Sequence, residues 1–181
     1  MLGRACDDPN PEMKSKGAQF AAAMCRDLRK ETGHFMRSTV VALTSNLQHQ
    51  HSKVRKVTLK SLEDIIIANG AEAFLIETFG QLRYTMNDRS QDVRKMFYTV
   101  LQSWMTKMEL TAMRQYEHHF IIYLLNGLSD DCPEINAECR EFLEVHGTRM
   151  KETLQALGKE EAQDEEMKTE GENENEEMVT A

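Results

Sequence analysis

The segment DRSQDVR, residues 88–94, decides the fold, because three related segments occur at nearly constant spacing along the chain. Each segment begins with Asp or His and ends in an apolar anchor followed by a basic or amide residue. The four are DPNPEMK at 8–14, HQHSKVR at 49–55, DRSQDVR at 88–94 and DDCPEIN at 130–136. Their anchors are Met13, Val54, Val93 and Ile135, which lie 41, 39 and 42 residues apart. A period near 40 residues predicts stacked helix pairs, a class of protein that presents long surfaces to other proteins.

The apolar residues around the anchors follow a helical period. Counting from Val93, the positions +3, +4, +7, +8, +11 and +15 are all apolar and include Trp104 and Met108, as expected for a buried helix face. A second helical stripe precedes each of the last three anchors. These stripes are Met36, Val40, Leu43 and Leu47; Leu75, Phe79, Leu82 and Met86; and Met113, Phe120, Leu124 and Leu128. We therefore predict an all-α solenoid of antiparallel helix pairs A and B, with each anchor at the start of a B helix and Trp104 buried between repeats.

The charge distribution divides the chain into two parts. Residues 159–181 hold ten acidic and two basic side chains, and their net charge of −8 equals that of the whole chain, so residues 1–158 are neutral. With few apolar side chains to bury, 159–181 is predicted to be a disordered acidic tail. Such a tail either keeps the protein soluble or contacts a basic surface. We assign residues 1–158 to an array of about three and a half repeats.

The first repeat is expected to consist of a B helix without its A partner. Phe20 and Met24 would then lack half of their contacts, whereas terminal repeats normally carry polar caps. The N-terminal edge of the array is therefore a candidate for association with another molecule, unless the chain is truncated there.

The Asp before each B helix, the Val-Arg pair in its first turn and the period resemble the HEAT-repeat family over residues 7–157. In that family, the Asp and Arg residues of adjacent repeats form a hydrogen-bonded ladder. The resemblance implies a ladder of Asp8, Asp88 and Asp130 with Lys14, Arg55 and Arg94. His49 and Asn136 stand at two ladder positions and weaken it there. The alternative is that these charges only solvate the helix ends.

A narrower resemblance, to the HEAT-repeat family of axonemal dynein assembly factors, lies in residues 48–55, 88–94 and 120–135 and in Trp104. It implies a non-enzymatic cytoplasmic scaffold for the preassembly of dynein arms in cilium biogenesis. The partners that it implies are dynein chains, among them the intermediate chain, and chaperones or other assembly factors. The alternative from another class is a general HEAT adaptor, such as a phosphatase regulatory subunit or a transport-type carrier.

The B helices supply the candidate binding surface, because in HEAT arrays they line the concave side, where partners commonly lie. The positions +2, +5, +6 and +9 from each anchor are expected to point away from the A helices. The candidate partner-binding residues there are Lys56, Lys60, Tyr98 and Arg140. Tyr and Arg are common among residues that dominate binding energy, and the lysines would steer an acidic partner. An ordinary solvated face is the alternative.

The sequence offers little that could support chemistry. The HExxH motif, a phosphate-binding loop and a serine-nucleophile elbow are all absent. His49 and His51 have no Cys or carboxylate at ligand spacing, and His118 and His119 face different directions on a helix. We predict no enzyme and no catalytic, cofactor or metal site. Nucleic-acid binding is not expected because basic residues are not in excess, and the apolar stretches are too short to cross a membrane.

Overall fold

A computed structural model describes residues 2–68, 70–152 and 155. The α-helices are α1 (Leu2–Cys6), α2 (Pro11–Asp27), α3 (Arg29–Thr32), α4 (Arg37–Asn46), α5 (Ser52–Ile66), α6 (Phe79–Thr85), α7 (Gln91–Lys107), α8 (Leu110–Gly127) and α9 (133–152). The 3₁₀ helices Gly33–Phe35 and Glu72–Glu77 precede α4 and α6. The described residues contain no strand, so the prediction of an all-α fold is confirmed. The predicted tail, residues 159–181, lies outside the described residues.

The predicted B helices correspond to α2, α5, α7 and α9. Their starts follow from the repeated segments: Asn10 Oδ1 accepts a hydrogen bond from Glu12 N (2.8 Å), and Pro11 is the first residue of α2, where its missing N–H costs little. Before α7, Asp88 Oδ1 accepts from Ser90 N (2.8 Å) and fixes the same kind of turn. Helix α2 packs on α5, and α5 packs on α7, so the first three B helices are in contact in their order along the chain.

The predicted A-helix stripes correspond to α4, to the 3₁₀ helix Glu72–Glu77 together with α6, and to α8. Val40, Leu43 and Leu124 are fully buried. The second stripe is interrupted, because Thr78 ends the 3₁₀ helix before α6 begins. Its backbone N and its Oγ1 both donate to the carbonyl of Leu75, at 2.9 and 2.6 Å, which leaves that carbonyl unavailable to a continuing α-helix.

The chain forms two compact units, Met1–Arg140 and Glu141–Ala181, and the boundary falls inside α9. In the first unit Trp104 is fully buried, and its indole Nε1 donates to the carbonyl of Glu63 (3.3 Å). The predicted burial of Trp104 is therefore confirmed. In the second unit the rings of Phe142 and His146 stack with their centroids 5.6 Å apart.

Helix α1 lies beside α2, where the sequence analysis expected no A helix. It packs on both α2 and α4, and Gly17 permits the approach, since a Cβ there would lie 2.8 Å from the carbonyl carbon of Ala5. The expectation that α2 has no partner of the A type is wrong, because five helical residues fit against a position without a side chain. Phe20 is nevertheless 60% exposed, as expected for this edge of the array.

The C-terminal ends of two B helices share one guanidinium group. Arg29, at the start of α3, donates from Nε to the carbonyl of Ile67, directly after α5 (2.7 Å). Its Nη2 lies 3.5 Å from the carbonyl of Lys107, the last residue of α7. The last carbonyls of a helix have no partner within the helix, so Arg29 satisfies groups of two later repeats.

Candidate functional site

The first turns of the B helices carry two nearly buried ion pairs between repeats. Arg55 on α5 donates to both carboxylate oxygens of Asp88 in the next repeat, at 2.6 and 2.7 Å. Arg94 on α7 does the same to Asp130, at 2.8 and 3.0 Å. The side chains of Arg55 and Asp88 are only 6% and 8% exposed. The predicted ladder is confirmed at these two rungs, which we call the inner ladder.

The residues of the inner ladder also make hydrogen bonds to backbone groups of their own repeats. The guanidinium Nη1 of Arg55 donates to the carbonyl of His49 (2.6 Å), as that of Arg94 donates to the carbonyl of Asp88 (2.9 Å). Asp130 Oδ1 accepts from the backbone N of Cys132 (2.9 Å), which matches the turn at Asp88. Burial raises the pKa of Asp130, but the hydrogen bonds from Arg94 and from the Cys132 backbone outweigh it, so its pKa is lowered. Asp130 is thus ionised at neutral pH, and the two rungs join each B helix to the first turn of the next repeat.

A second row of ion pairs lies outside the inner ladder and was not predicted. Lys56 Nζ lies 3.0 Å from Asp92 Oδ2, and Lys95 pairs in the same way with Glu134. The lysines follow the ladder arginines directly, and the acids directly precede the next anchors. The outer pairs could therefore have been found in the sequence, as a basic residue two positions after one anchor and an acidic residue directly before the next anchor. These outer pairs are more exposed: Lys56 and Asp92 are 37% and 70% exposed.

The interface between α2 and α5 departs from this pattern at each ladder position. Lys14 Nζ donates to Asn46 Oδ1 (2.9 Å) and makes no rung to His49, so the predicted weakness of the ladder at His49 is confirmed. His49 takes over the turn, since its Nδ1 accepts from the backbone N of His51 (3.1 Å), and burial lowers its pKa with the help of nearby positive charges. Ser15 stands at the outer donor position and Lys53 at the outer acceptor position, so no outer ion pair can form there.

A groove opens where these pairs are missing, and we call it the α2–α5 groove. Its volume is about 720 Å³. Lys16 lies on one wall and pairs with Glu12 (2.8 Å), while Lys53 on the other wall makes no hydrogen bond or salt bridge within the described residues. The lining residues are Pro11, Glu12, Ser15, Lys16, Gln19, Gln50, His51, Ser52, Lys53, Val54 and Val57. The unpaired Lys53 and the apolar lining residues Pro11, Val54 and Val57 suit an acidic segment of another protein.

The structure does not join the four predicted partner-binding residues into one patch. Tyr98 is fully buried: its ring packs on Phe97 with centroids 5.1 Å apart, and burial raises the pKa of its hydroxyl to about 12. The prediction that Tyr98 faces a partner is wrong, because the +5 position of a B helix faces the next repeat. Arg140, at the same position on α9, is exposed. Binding through Lys56, Lys60 and Arg140 stays a prediction.

Lys60 belongs to a charged cluster around Glu63, which stands at the +9 position and was expected to point away from the A helices. The Glu63 side chain is only 5% exposed. It accepts from Lys60 Nζ (2.6 Å), Ser103 Oγ (2.6 Å) and Lys107 Nζ (3.1 Å). Burial raises the pKa of Glu63, but these three hydrogen bonds dominate and lower it to about 2. The cluster ties α5 to α7, so it acts first as an inter-repeat contact.

Within residues 2–68, 70–152 and 155, no helix combines the length and the hydropathy that a membrane span requires. Across the same residues no group of three or more His, Cys, Asp or Glu side chains is arranged to hold a metal ion.

Sequence comparisons relate the chain to one family. The profile of a family described as "Dynein axonemal assembly factor 5-like, TPR repeats" matches residues 1–159. The proteins named Dynein axonemal assembly factor 5 from Xenopus laevis and Mus musculus are each 23% identical, over 146 and 155 residues. These matches cover 81% and 86% of this chain but 17% and 18% of those proteins, so the chain spans less than a fifth of the length of the curated relatives it matches.

Solved structures with a similar fold include an engineered protein and designed armadillo repeat proteins. An engineered protein superposes with a TM-score of 0.61 at 16% identity, over 78% of this chain and 59% of that one. A designed armadillo repeat protein, solved in complex with the peptide (KR)4, superposes with a TM-score of 0.62 at 16% identity, over 79% and 62%. At this identity the likeness concerns the fold alone, and it confirms the predicted all-α solenoid.

Proposed function

This chain belongs to the family of dynein axonemal assembly factor 5-like repeat proteins, and from that membership we propose that it is a non-enzymatic protein-binding scaffold. Its proposed task is the preassembly of axonemal dynein arms in the cytoplasm during cilium biogenesis. The proposed clients are dynein chains, including the intermediate chain, with chaperones or other assembly factors as further partners.

The observation that carries the proposal is the extent of the family match. It runs over residues 1–159 and therefore includes every described repeat, with both rungs of the inner ladder. The architecture supports the same role, because ladder-spaced B helices hold successive side chains at fixed distances. A surface of that kind suits a long client segment better than it suits a small substrate.

We place client contact at the α2–α5 groove and at the neighbouring lysines Lys56 and Lys60 on α5. Lys16, Lys53 and Lys60 give this region exposed positive charge. Glu12 pairs with Lys16 within the groove and Glu63 beside Lys60 is nearly buried, so Lys53 is the lysine of this region that an incoming acidic segment would meet without a salt bridge among the described residues. Arg140 is a separate candidate contact on α9. Electrostatic contacts of this kind set the association rate and the specificity more than the affinity.

The experiment is an affinity pull-down from ciliated cells with the tagged chain. We expect dynein chains and chaperones in the bound fraction. A phosphatase catalytic subunit or a small GTPase in their place would instead favour a general adaptor and would contradict the proposal.

A matched pair of variants tests the groove. Replacing Lys16 and Lys53 together by Ala should reduce recovery of the dynein chains, and the loss should be greater at low ionic strength, where charge attraction is less screened. Lys30→Ala, a change of an exposed lysine on α3, is the control. Equal recovery with the groove variant and the control would remove the groove from the proposal.

A further inference from the structure

A second pocket, which we call the turn pocket, opens at the turns that precede α5 and α7. Its volume is about 360 Å³. It is lined by residues 47–50, by Arg55, and by Tyr84, Thr85, Asp88 and Arg89 of the next repeat. Each repeat of a stack contacts only its neighbours along the stack, so a further repeat at either end of the array would leave this pocket open.

The turn pocket carries one positive charge that no acid of the described residues balances. Arg55 and Asp88 neutralise each other in the inner ladder. Burial, with the help of nearby positive charges, lowers the pKa of His49, so its ring is uncharged at neutral pH. Arg89 makes no salt bridge among the described residues, and its Nη2 donates to the carbonyl of Gln50 (3.2 Å). A guanidinium has five N–H donors, so Arg89 can still bind an incoming carboxylate.

An exposed aromatic ring stands in the same pocket. Tyr84 is 66% exposed, whereas the other three tyrosines, Tyr98, Tyr116 and Tyr123, are at most 7% exposed. Tyr and Arg are the residue types that most often dominate binding energy. A tyrosine ring near an arginine without an acid suits a segment that carries both an acidic and an apolar side chain.

The charge of Arg89 is specific to this repeat interface. The residues four positions before the anchors are Pro9, Gln50, Arg89 and Asp131. Asp131 is 86% exposed and pairs with Arg94, so the next interface presents an acid where this one presents an arginine. The inner ladder forms at both interfaces and therefore does not require a cation at this position.

The turn pocket adjoins the α2–α5 groove, because Gln50 lines both. The Gln50 carbonyl accepts from Arg55 Nη1 and from Arg89 Nη2, each at 3.2 Å. Each of the two sites holds one cation without a salt bridge among the described residues, Lys53 in the groove and Arg89 in the pocket. The two cations lie at successive repeat interfaces, so one extended segment can meet both.

We propose that the turn pocket continues the α2–α5 groove and that the two bind one extended acidic segment of a client. Carboxylates of that segment pair with Lys53 and with Arg89, and an apolar side chain between acids packs on Tyr84. This inference rests on the proposed function and deepens it, since it specifies the composition of the client segment and its path from the first repeat interface to the second.

The test is fluorescence anisotropy of a labelled peptide of glutamates with a central phenylalanine, titrated with the purified full chain. Arg89→Asp should weaken binding by about threefold to tenfold, and Lys53→Ala should weaken binding of the same peptide. The control is Arg83→Asp, an equal change of charge at an exposed residue of α6 that does not line the pocket, and it should have an effect of about twofold or less. Arg89→Gln keeps the length of the side chain without its charge and should weaken binding in the same direction.

A second pair of variants tests the aromatic contact. The native chain should prefer the phenylalanine peptide to a glutamate peptide with a central alanine. Tyr84→Ala should remove that preference, and Tyr84→Phe, which keeps the ring, should retain it. Circular dichroism should be the same for all variants, since Tyr84 is exposed and the chain itself carries Asp at the position of residue 89 in the next repeat.

Three results would overturn the proposal. The first is that Arg89→Asp and Arg83→Asp have equal effects, or that the native chain does not bind the peptide. The second is equal binding of a peptide with glutamine in place of glutamate. The third is a phenylalanine preference that Tyr84→Ala leaves intact. If Lys53→Ala weakens binding and Arg89→Asp does not, only the turn pocket is refuted, and the groove and the pull-down prediction stand.

Discussion

Removal of the guanidinium of Arg55 should destabilise the array far more than removal of its neighbour Lys56. Arg55 donates to both oxygens of Asp88 and to the carbonyls of His49 and Gln50, and it is 6% exposed. Arg55→Ala leaves the Asp88 carboxylate nearly buried without its partner, a change that costs about 3–5 kcal/mol. For a chain of this length the melting midpoint should fall by about 6–20 °C. Lys56→Ala breaks an exposed pair and should cost at most about 1 kcal/mol.

The assay is urea unfolding followed by circular dichroism, on the two single variants and on a double-mutant cycle. Asp88→Asn is the partner variant, because its amide oxygen can still accept from Ser90 N and preserve the turn. The double variant Arg55→Ala, Asp88→Asn should be more stable than the sum of the two single losses predicts, by about 0.5–3 kcal/mol. The reason is that it removes both charges, so no buried charge remains without a partner. If Arg55→Ala were no more destabilising than Lys56→Ala, or if the cycle showed additivity, the inner ladder would not be the buried contact described above.

Three further changes test other parts of the fold. Trp104→Ala should cost about 3–5 kcal/mol, and the native protein should emit at a short wavelength, because Trp104 is fully buried; a solvent-like emission maximum would contradict this. Gly70 has φ +85°, and a Cβ there would lie 2.1 Å from the ring of His34, so Gly70→Ala should cost about 1–3 kcal/mol or more. A Cβ on Gly80 in α6 would meet nothing within 4 Å, so Gly80→Ala should stabilise the protein by about 0.5–1 kcal/mol. Equal effects of the two changes in urea unfolding would refute the comparison. The pKa of Glu63 falls from 4.5 to about 2 on folding, so its contribution to the free energy of unfolding is complete above pH 4.5 and is lost as the pH falls through 2. The difference in stability between the native protein and Glu63→Gln should therefore shrink over that range. A constant difference would show that Glu63 does not titrate as described.

The repeated segments, with the family resemblance that they carry, were sufficient to predict the B helices and the ladder between them. Arg55 and Arg94 form their rungs because a period near 40 residues brings each first turn beside the next. Trp104 is buried because it shares a helix face with Val93. Periodicity within a helix and spacing between helices are both visible in a sequence, so these features could be predicted.

The misplaced residues depend on how successive B helices stack. Tyr98 and Leu59 are fully buried at the +5 position, which was expected to point away from the A helices, since a B helix in a stack has neighbouring B helices as well as its A helix. Glu63 is buried for the same reason and accepts hydrogen bonds from Lys60 on its own helix and from Ser103 and Lys107 on α7. One helix's hydrophobic pattern does not specify how wide its buried face is, and the contacts of Glu63 with Ser103 and Lys107, 40 and 44 residues away, do not recur in the other repeats and so leave no pattern in the sequence.

The position of Arg29 bears on how the repeats unfold together. Every ladder rung joins a repeat to its immediate neighbour, which by itself gives a one-dimensional chain in which any repeat can open at a cost set by two interfaces. Arg29 comes from the first repeat and reaches carbonyls after α5 and at the end of α7, in the second and third repeats. Opening of the middle repeat alone would therefore also disturb a contact that spans it. The first three repeats should exchange and melt as one cooperative block, in which partly open forms are rarer than nearest-neighbour coupling would allow.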